Sequence, residues 1–126
     1  RLYRGDYLPE QRYEDWCIEE RERLQVLFLR GAERLALLQI EDGEYEAAIQ
    51  LSERIIQLDL CWEAAYRLQM FGYYQLNYRG QALKVYEKCR DVLHEELGVE
   101  PMPATVQLWE AIKEARVLTI EMFTKL

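Results

Sequence analysis

The stretch from Gly31 to Leu97, GAERLALLQIEDGEYEAAIQLSERIIQLDLCWEAAYRLQMFGYYQLNYRGQALKVYEKCRDVLHEEL, decides the fold, because it reads as one helical hairpin written twice. Laid over itself with Ala48 on Ala82, 34 residues apart, it places Ile49 on Leu83, Leu51 on Val85, Glu53 on Glu87 and Arg54 on Lys88. Each copy holds an apolar helical run, a short polar break and a second run opened by an alanine. The breaks are Asp42-Gly43-Glu44 and Asn77-Tyr78-Arg79-Gly80. A period of this length belongs to stacked helix pairs. One such pair cannot bury its apolar stripe alone, so the copies must stack on each other and on helices to either side.

Working outward, the second helix, Tyr45 to Leu58, is expected to turn Ala48, Leu51, Ile55 and Leu58 to one face. The third, Trp62 to Asn77, carries Ala65, Leu68, Tyr73 and Leu76, and its further aromatics, Tyr66, Phe71, Tyr74 and Tyr78, are too many for one face. The fourth, Gln81 to Leu97, points Ala82, Val85, Tyr86, Cys89, Val92 and Leu93 inward and stops at Gly98. Upstream, Glu14 to Glu41 lacks proline, and its apolar residues Trp16, Leu24, Leu27, Phe28, Leu35 and Leu38 recur at helical spacing. This is one long helix, or two sharing an axis with a weak point at Gly31, and Arg23 is set to pair with Glu19 on its outer side. Before it, residues 1–13 read as a short helical end or extended lead followed by a turn.

Downstream, Val99-Glu100-Pro101-Met102-Pro103 makes a stiff connector with Pro103 at the first helical position. The last helix is expected from Ala104 to about Lys125, ending in an apolar run. The whole is all-α: a right-handed stack of antiparallel helix pairs with about five main helices.

Composition narrows the function. The chain has 126 residues, half of them apolar, enough for one domain over 1–126. Its first residue is Arg1 rather than Met, which reads as a piece cut from something larger. With a formal charge of −7 and a pI near 4.8, it is a poor binder of phosphate backbones, so direct DNA contact by this segment is not expected. Cys17, Cys61 and Cys89 form no CxxC pair, and His94 has no ligand-spaced neighbour, so no metal or cofactor is expected and a reducing, cytoplasmic setting fits. No apolar run approaches the roughly 20 residues that span a bilayer. Nor is there a Gly-rich phosphate loop, a nucleophile elbow or an HExxH motif, which argues against an enzyme.

Four segments carry a specific resemblance: YRGDYLPEQRYEDWCIEERERL (Tyr3 to Leu24), GEYEAAIQLSERIIQLD (Gly43 to Asp59), YRGQALKVYEKCRDVL (Tyr78 to Leu93) and, most specific, ELGVEPMPATVQLWEAI (Glu96 to Ile112). In this order they resemble the bacterial transcriptional activator domain. That domain is the tetratricopeptide-like helical module of the antibiotic-regulatory-protein class of bacterial activators. Met102, where members often carry a serine-like cap, and Ala104, where they often carry an acid, depart from the pattern, as does Leu60 at a common proline position. The resemblance implies a module beside a winged-helix DNA-binding domain. Its contacts would be to that domain, to a second protomer or to the transcription machinery such as RNA polymerase, and no catalytic residues come with it.

Two sets of contact residues follow from the repeat register. The inner faces of the first-of-pair helices should offer Arg30, Glu33, Leu37 and Ile40 from one copy and Ala64, Arg67, Phe71 and Tyr74 from the next. Such a groove suits an acidic or C-terminal peptide, since guanidinium groups pair with carboxylates in a fork; alternatively its arginines pair with glutamates and the last helix fills it. The second set, Trp109, Leu118, Met122 and Phe123, is either a homodimer or domain contact or the far wall of the core. A second class of function, sensing a small effector, would draw on an aromatic pocket of Tyr66, Tyr73, Tyr74 and Tyr78.

Overall fold

The computed structural model describes residues 10–121, with side chains from residue 14. Among the described residues five helices lie whole: α1 (Glu10–Glu41), α2 (Tyr45–Leu58), α3 (Glu63–Gln75), α4 (Arg79–Leu97) and α5 (Pro103–Lys113). Among the described residues there is no strand. The chain divides into two compact units, Arg1–Gly31 and Ala32–Leu126.

In the second unit the 34-residue period is written into the hydrogen bonds. At the end of α1, Asp42 N donates to Leu38 O, Gly43 N to Ile40 O and Glu44 N to Gln39 O. At the end of α3, Leu76 N donates to Gly72 O, Asn77 N to Tyr74 O and Tyr78 N to Tyr73 O, each partner 34 residues on. The pivot is left-handed both times, Gly43 at φ 78° and Asn77 at φ 70°, which a glycine or asparagine tolerates where most side chains do not. The following helices open alike, Ala48 N on Glu44 O and Ala82 N on Tyr78 O. Ala48 and Ala82 are both fully buried. The two alanines therefore occupy equivalent environments.

α3 lies at the centre, packed on α2, α4 and α5, while α5 also packs on α4. Seven of its thirteen residues, from Ala65 to Gly72, are buried. That explains the surplus of aromatics: a helix apolar on more than one side is one enclosed by neighbours. Gly72 marks the closest approach, since a Cβ built there would lie 2.8 Å from Ile49 Cγ1 on α2. α2 buries Ala48, Ile49, Ser52, Ile55 and Ile56, so its inward face is turned slightly from the expected one and Leu58 is exposed. The Ser52 hydroxyl is satisfied within its own helix, donating to Ile49 O at 2.6 Å.

α4 ends at Gly98, left-handed at φ 66°, with Gly98 N on His94 O and Val99 N on Leu93 O. α5 then stops at Lys113 rather than running to about Lys125. The reason is tertiary: the Arg79 guanidinium donates to Ile112 O at 2.9 Å and to Lys113 O, carbonyls that a continuing helix would need for itself. The backbone turns instead through Ala115 at φ 56°, with Ala115 N on Ile112 O and Arg116 N on Ala111 O.

In the first unit, α1 starts at Glu10, four residues before the expected point, and runs unbroken through Gly31, where a Cβ would meet nothing within 4 Å. Arg23 pairs there with Glu20 at 2.5 Å rather than with Glu19.

Candidate functional site

The expected groove is engaged by the chain itself on its α3 side. Glu63 and Arg67 stand one turn apart on α3, their side chains 12% and 15% exposed. The Arg67 guanidinium donates to Thr105 Oγ1 of α5 at 2.9 Å, and that hydroxyl donates in turn to Glu63 Oε2 at 2.5 Å. Met102 N, at the uncapped start of α5, donates to the same oxygen at 2.7 Å, and Arg67 lies 3.8 Å from it. One carboxylate thus anchors the connector, α5 and the guanidinium together. Charged groups this buried need such partners, and these are supplied from within. The two other α3 members are also taken: Phe71 is 2% exposed, and the Tyr74 hydroxyl donates to Arg116 O at 2.7 Å.

Of the α1 members in the second unit, Ile40 is buried, Leu37 half-buried, and Glu33 accepts the Trp62 indole N–H at 2.8 Å. Ala64 is half-buried, and Arg30, in the first unit, is exposed. α3 and α5 bring Arg67 and Tyr74 to contacts inside the domain, so on that helix an open acidic-peptide groove is not what the sequence builds.

The second set also turns inward where it is described. The Trp109 ring stacks on Tyr86, centroids 4.4 Å apart and planes within 6°, and Lys113 Nζ sits 3.6 Å above the Trp109 centroid. Burial, foremost, pushes the Tyr86 phenol up, so it stays protonated in that stack. Leu118 is buried. Met122 and Phe123 lie outside the described residues.

The four tyrosines suggested as an effector pocket do not converge. Tyr66 is fully buried, its hydroxyl donating to Leu60 O at 2.7 Å, while Tyr78 is exposed and meets Tyr73 edge-on at 6.5 Å. Tyr73 lines a cavity of about 330 Å³ between α2, α3 and α4. Tyr74 lines another of about 360 Å³ between the α3–α4 turn and the exit from α5. The first also holds Gln69, Lys84 and Lys88, which sequence reasoning passed over. The available signal was Gln69, a polar residue inside the apolar run LQMF.

Thiol chemistry has little purchase here. All three cysteines are free, and burial, helped by the Glu63 charge against that of Arg67, pushes the Cys89 thiol up to about 12. The Cys61 thiol is pushed up as well, by burial and then by Asp59 and Glu96. Among the described residues no group of three or more His, Cys, Asp or Glu is placed to hold a metal ion, and no helix is long and apolar enough to cross a membrane.

What the first unit offers is apolar surface. Of residues 14–31 only Leu29 is buried, whereas Trp16, Ile18, Leu24, Leu27 and Phe28 are 46–57% exposed. These five large apolar side chains are thus exposed within this stretch of helix.

Comparison with known proteins agrees with the helical reading. Residues 1–113 match the family described as "Bacterial transcriptional activator domain". Over 79 residues the chain is 33% identical to the transcriptional regulatory protein MoaR1 of Mycobacterium tuberculosis and, equally, to that of Mycobacterium bovis, a match covering 63% of this chain and 25% of theirs. The chain therefore spans about a quarter of the length of these relatives. A solved structure, Mycobacterium tuberculosis EmbR in complex with low affinity phosphopeptide, superposes with a TM-score of 0.71 at 22% identity, over 91% of this chain and 30% of that one. At that identity the likeness is one of fold.

Proposed function

The chain belongs to the bacterial transcriptional activator domain family, and from that premise we propose that it is a non-catalytic, protein-contacting module of a transcriptional activator, joined to its partners through the apolar side of α1. The observation that carries this reading is the exposure of Trp16, Leu24, Leu27 and Phe28 on a stretch of helix that buries only Leu29. The adjoining DNA-binding domain of the same regulator is the first partner this surface suits. Burying a large apolar side chain is worth roughly 1.5–3 kcal/mol, so a few of them suffice to hold two domains in register. The acidic balance of the chain leaves DNA to that other domain. A second protomer or RNA polymerase would be met through the regulator so assembled, in the cytoplasm. No catalytic role is assigned: the largely buried Glu63 and Arg67 are tied to structural partners.

The test is a reporter assay with the complete regulator carrying Leu24→Glu and Phe28→Glu. Both positions are exposed, so the isolated domain should unfold within about 0.5 kcal/mol of wild type while activation falls at least about tenfold. Unchanged activation would remove the proposal.

A further inference from the structure

α5 stops inside a sequence that favours helix. From Ala104 onward the chain holds neither glycine nor proline, Glu114, Ala115, Arg116 and Leu118 are good helix formers, and residues 120–121 are helical again. A continuous helix would also keep the apolar pattern, because Ala115 and Leu118 stand seven residues after Leu108 and Ala111, two buried residues of α5. Yet the backbone breaks at Ala115, left-handed at φ 56°. That conformation is costly for a residue with a Cβ, and glycine ordinarily takes it where a helix stops.

The break is held from outside. Arg79 donates to Ile112 O at 2.9 Å and to Lys113 O, while the Tyr74 hydroxyl donates to Arg116 O at 2.7 Å, so α4 and α3 each hold one side of Ala115. Arg79 is the first residue of α4, a position where a cation opposes the dipole of its own helix. The carbonyl end of α5 answers that charge instead. Leu118 is buried, but Tyr74, Arg79, Ala115 and Leu118 also border a cavity of about 360 Å³, so hydrogen bonds more than close packing fix the turn.

We propose that residues 114–119 form a conformational switch with two states. Held by Arg79 and Tyr74, the chain turns at Ala115 and tucks Leu118 in. Released, Ala115 returns to the helical region, Ile112 O and Lys113 O accept from the amides of Arg116 and Val117, and α5 runs on into the helical residues 120–121. The second state carries Ala115 and Leu118 along the line of Leu108 and Ala111. The two states send residue 120 off in different directions, and a partner that prefers one direction selects one state. The switch is separate from the apolar surface on α1, so either proposal can fail without the other.

The experiment reads the Cα chemical shifts of residues 114–119 by NMR in the whole chain. Wild type should give non-helical values. In Tyr74→Phe with Arg79→Met they should move to helical values, with amide–amide contacts unbroken from Lys113 to Ile120, while the signals of α2, α3 and α4 report an intact stack. Adding Ala115→Gly to that variant should restore the break, shifting the balance back at least about tenfold, since glycine disfavours helix and takes the left-handed turn freely. In the wild-type background Ala115→Gly leaves Arg79 and Tyr74 in place and should raise the thermal midpoint by relieving the strained turn, a result that stands whether or not the double variant folds. Non-helical shifts in a folded double variant, helical shifts already in wild type, a glycine that does not restore the break, or an Ala115→Gly midpoint no higher than wild type would each overturn the proposal.

Discussion

α3 and the opening half of α1 are both rich in large apolar side chains, and they use them in opposite ways. α3 is packed on three other helices and buries Tyr66, Leu68, Met70 and Phe71. Residues 14–31 of α1 bury Leu29 alone and leave Trp16, Leu24, Leu27 and Phe28 exposed. Apolar content therefore does not make a core by itself; what decides is how many neighbours the chain supplies. For α3 the duplicated hairpin and α5 supply them. The start of α1 leaves most of its large apolar side chains exposed.

The sharpest way to break this comparison is to make the same change in both regions. Phe71→Ala should cost about 3–5 kcal/mol, the range for truncating a buried aromatic, whereas Phe28→Ala should stay within about 0.5 kcal/mol of wild type. Urea denaturation followed by circular dichroism measures both. Equal losses would mean that the start of α1 belongs to the same core as α3.

Two helical glycines, Gly72 and Gly31, give a smaller contrast with a change of sign. At Gly72 a Cβ would meet Ile49 Cγ1 at 2.8 Å and Cδ1 at 3.1 Å, atoms held in the α2–α3 contact. Overpacking of about 1–3 kcal/mol should outweigh the gain of about 1 kcal/mol in helix propensity, so Gly72→Ala destabilises by roughly 1–2 kcal/mol. At Gly31 a Cβ would meet open space, so Gly31→Ala should stabilise by up to about 1 kcal/mol. A double-mutant cycle completes the test, since the Gly72→Ala penalty should vanish once Ile49→Ala has removed the obstructing atoms.

How much of this was legible in the sequence follows from the range of each interaction. The repeat was legible because it is local: Gly43 and Asn77 sit 34 residues apart and set identical turns, and Ala48 and Ala82 follow each at the same distance. The central role of α3 was half legible, as an excess of aromatics without the neighbours that enclose them. The end of α5 was not legible, because Val117, Leu118 and Ile120 prolong the apolar pattern and the group that takes the terminal carbonyls, Arg79, comes from another helix. The fate of the Arg67 groove was hidden for the same reason: its answer is Thr105, 38 residues on, across the proline connector.

The smallest effect lies within α3 and separates burial from hydrogen bonding. The Tyr66 hydroxyl donates to Leu60 O in the turn before its own helix, and burial, then the charges of Cys89, Cys61 and Asp59, push the phenol up to about 12. Tyr66→Phe keeps the ring in the core and loses one hydrogen bond, so it should cost about 1 kcal/mol at neutral pH. The difference should then shrink in alkali. From about pH 10 the unfolded phenol gives up its proton while the folded one keeps it to about 12, so the unfolded state binds fewer protons and wild-type stability falls with rising pH across that window. The phenylalanine variant lacks this component and should decline less steeply, though not flatly, because the raised thiol of Cys89 acts in the same direction. Urea midpoints at pH 7 and pH 11 test this. Parallel declines in the two proteins would mean that Tyr66 is hydrated in the folded state, and the enclosure of α3 would then be weaker than its packing implies.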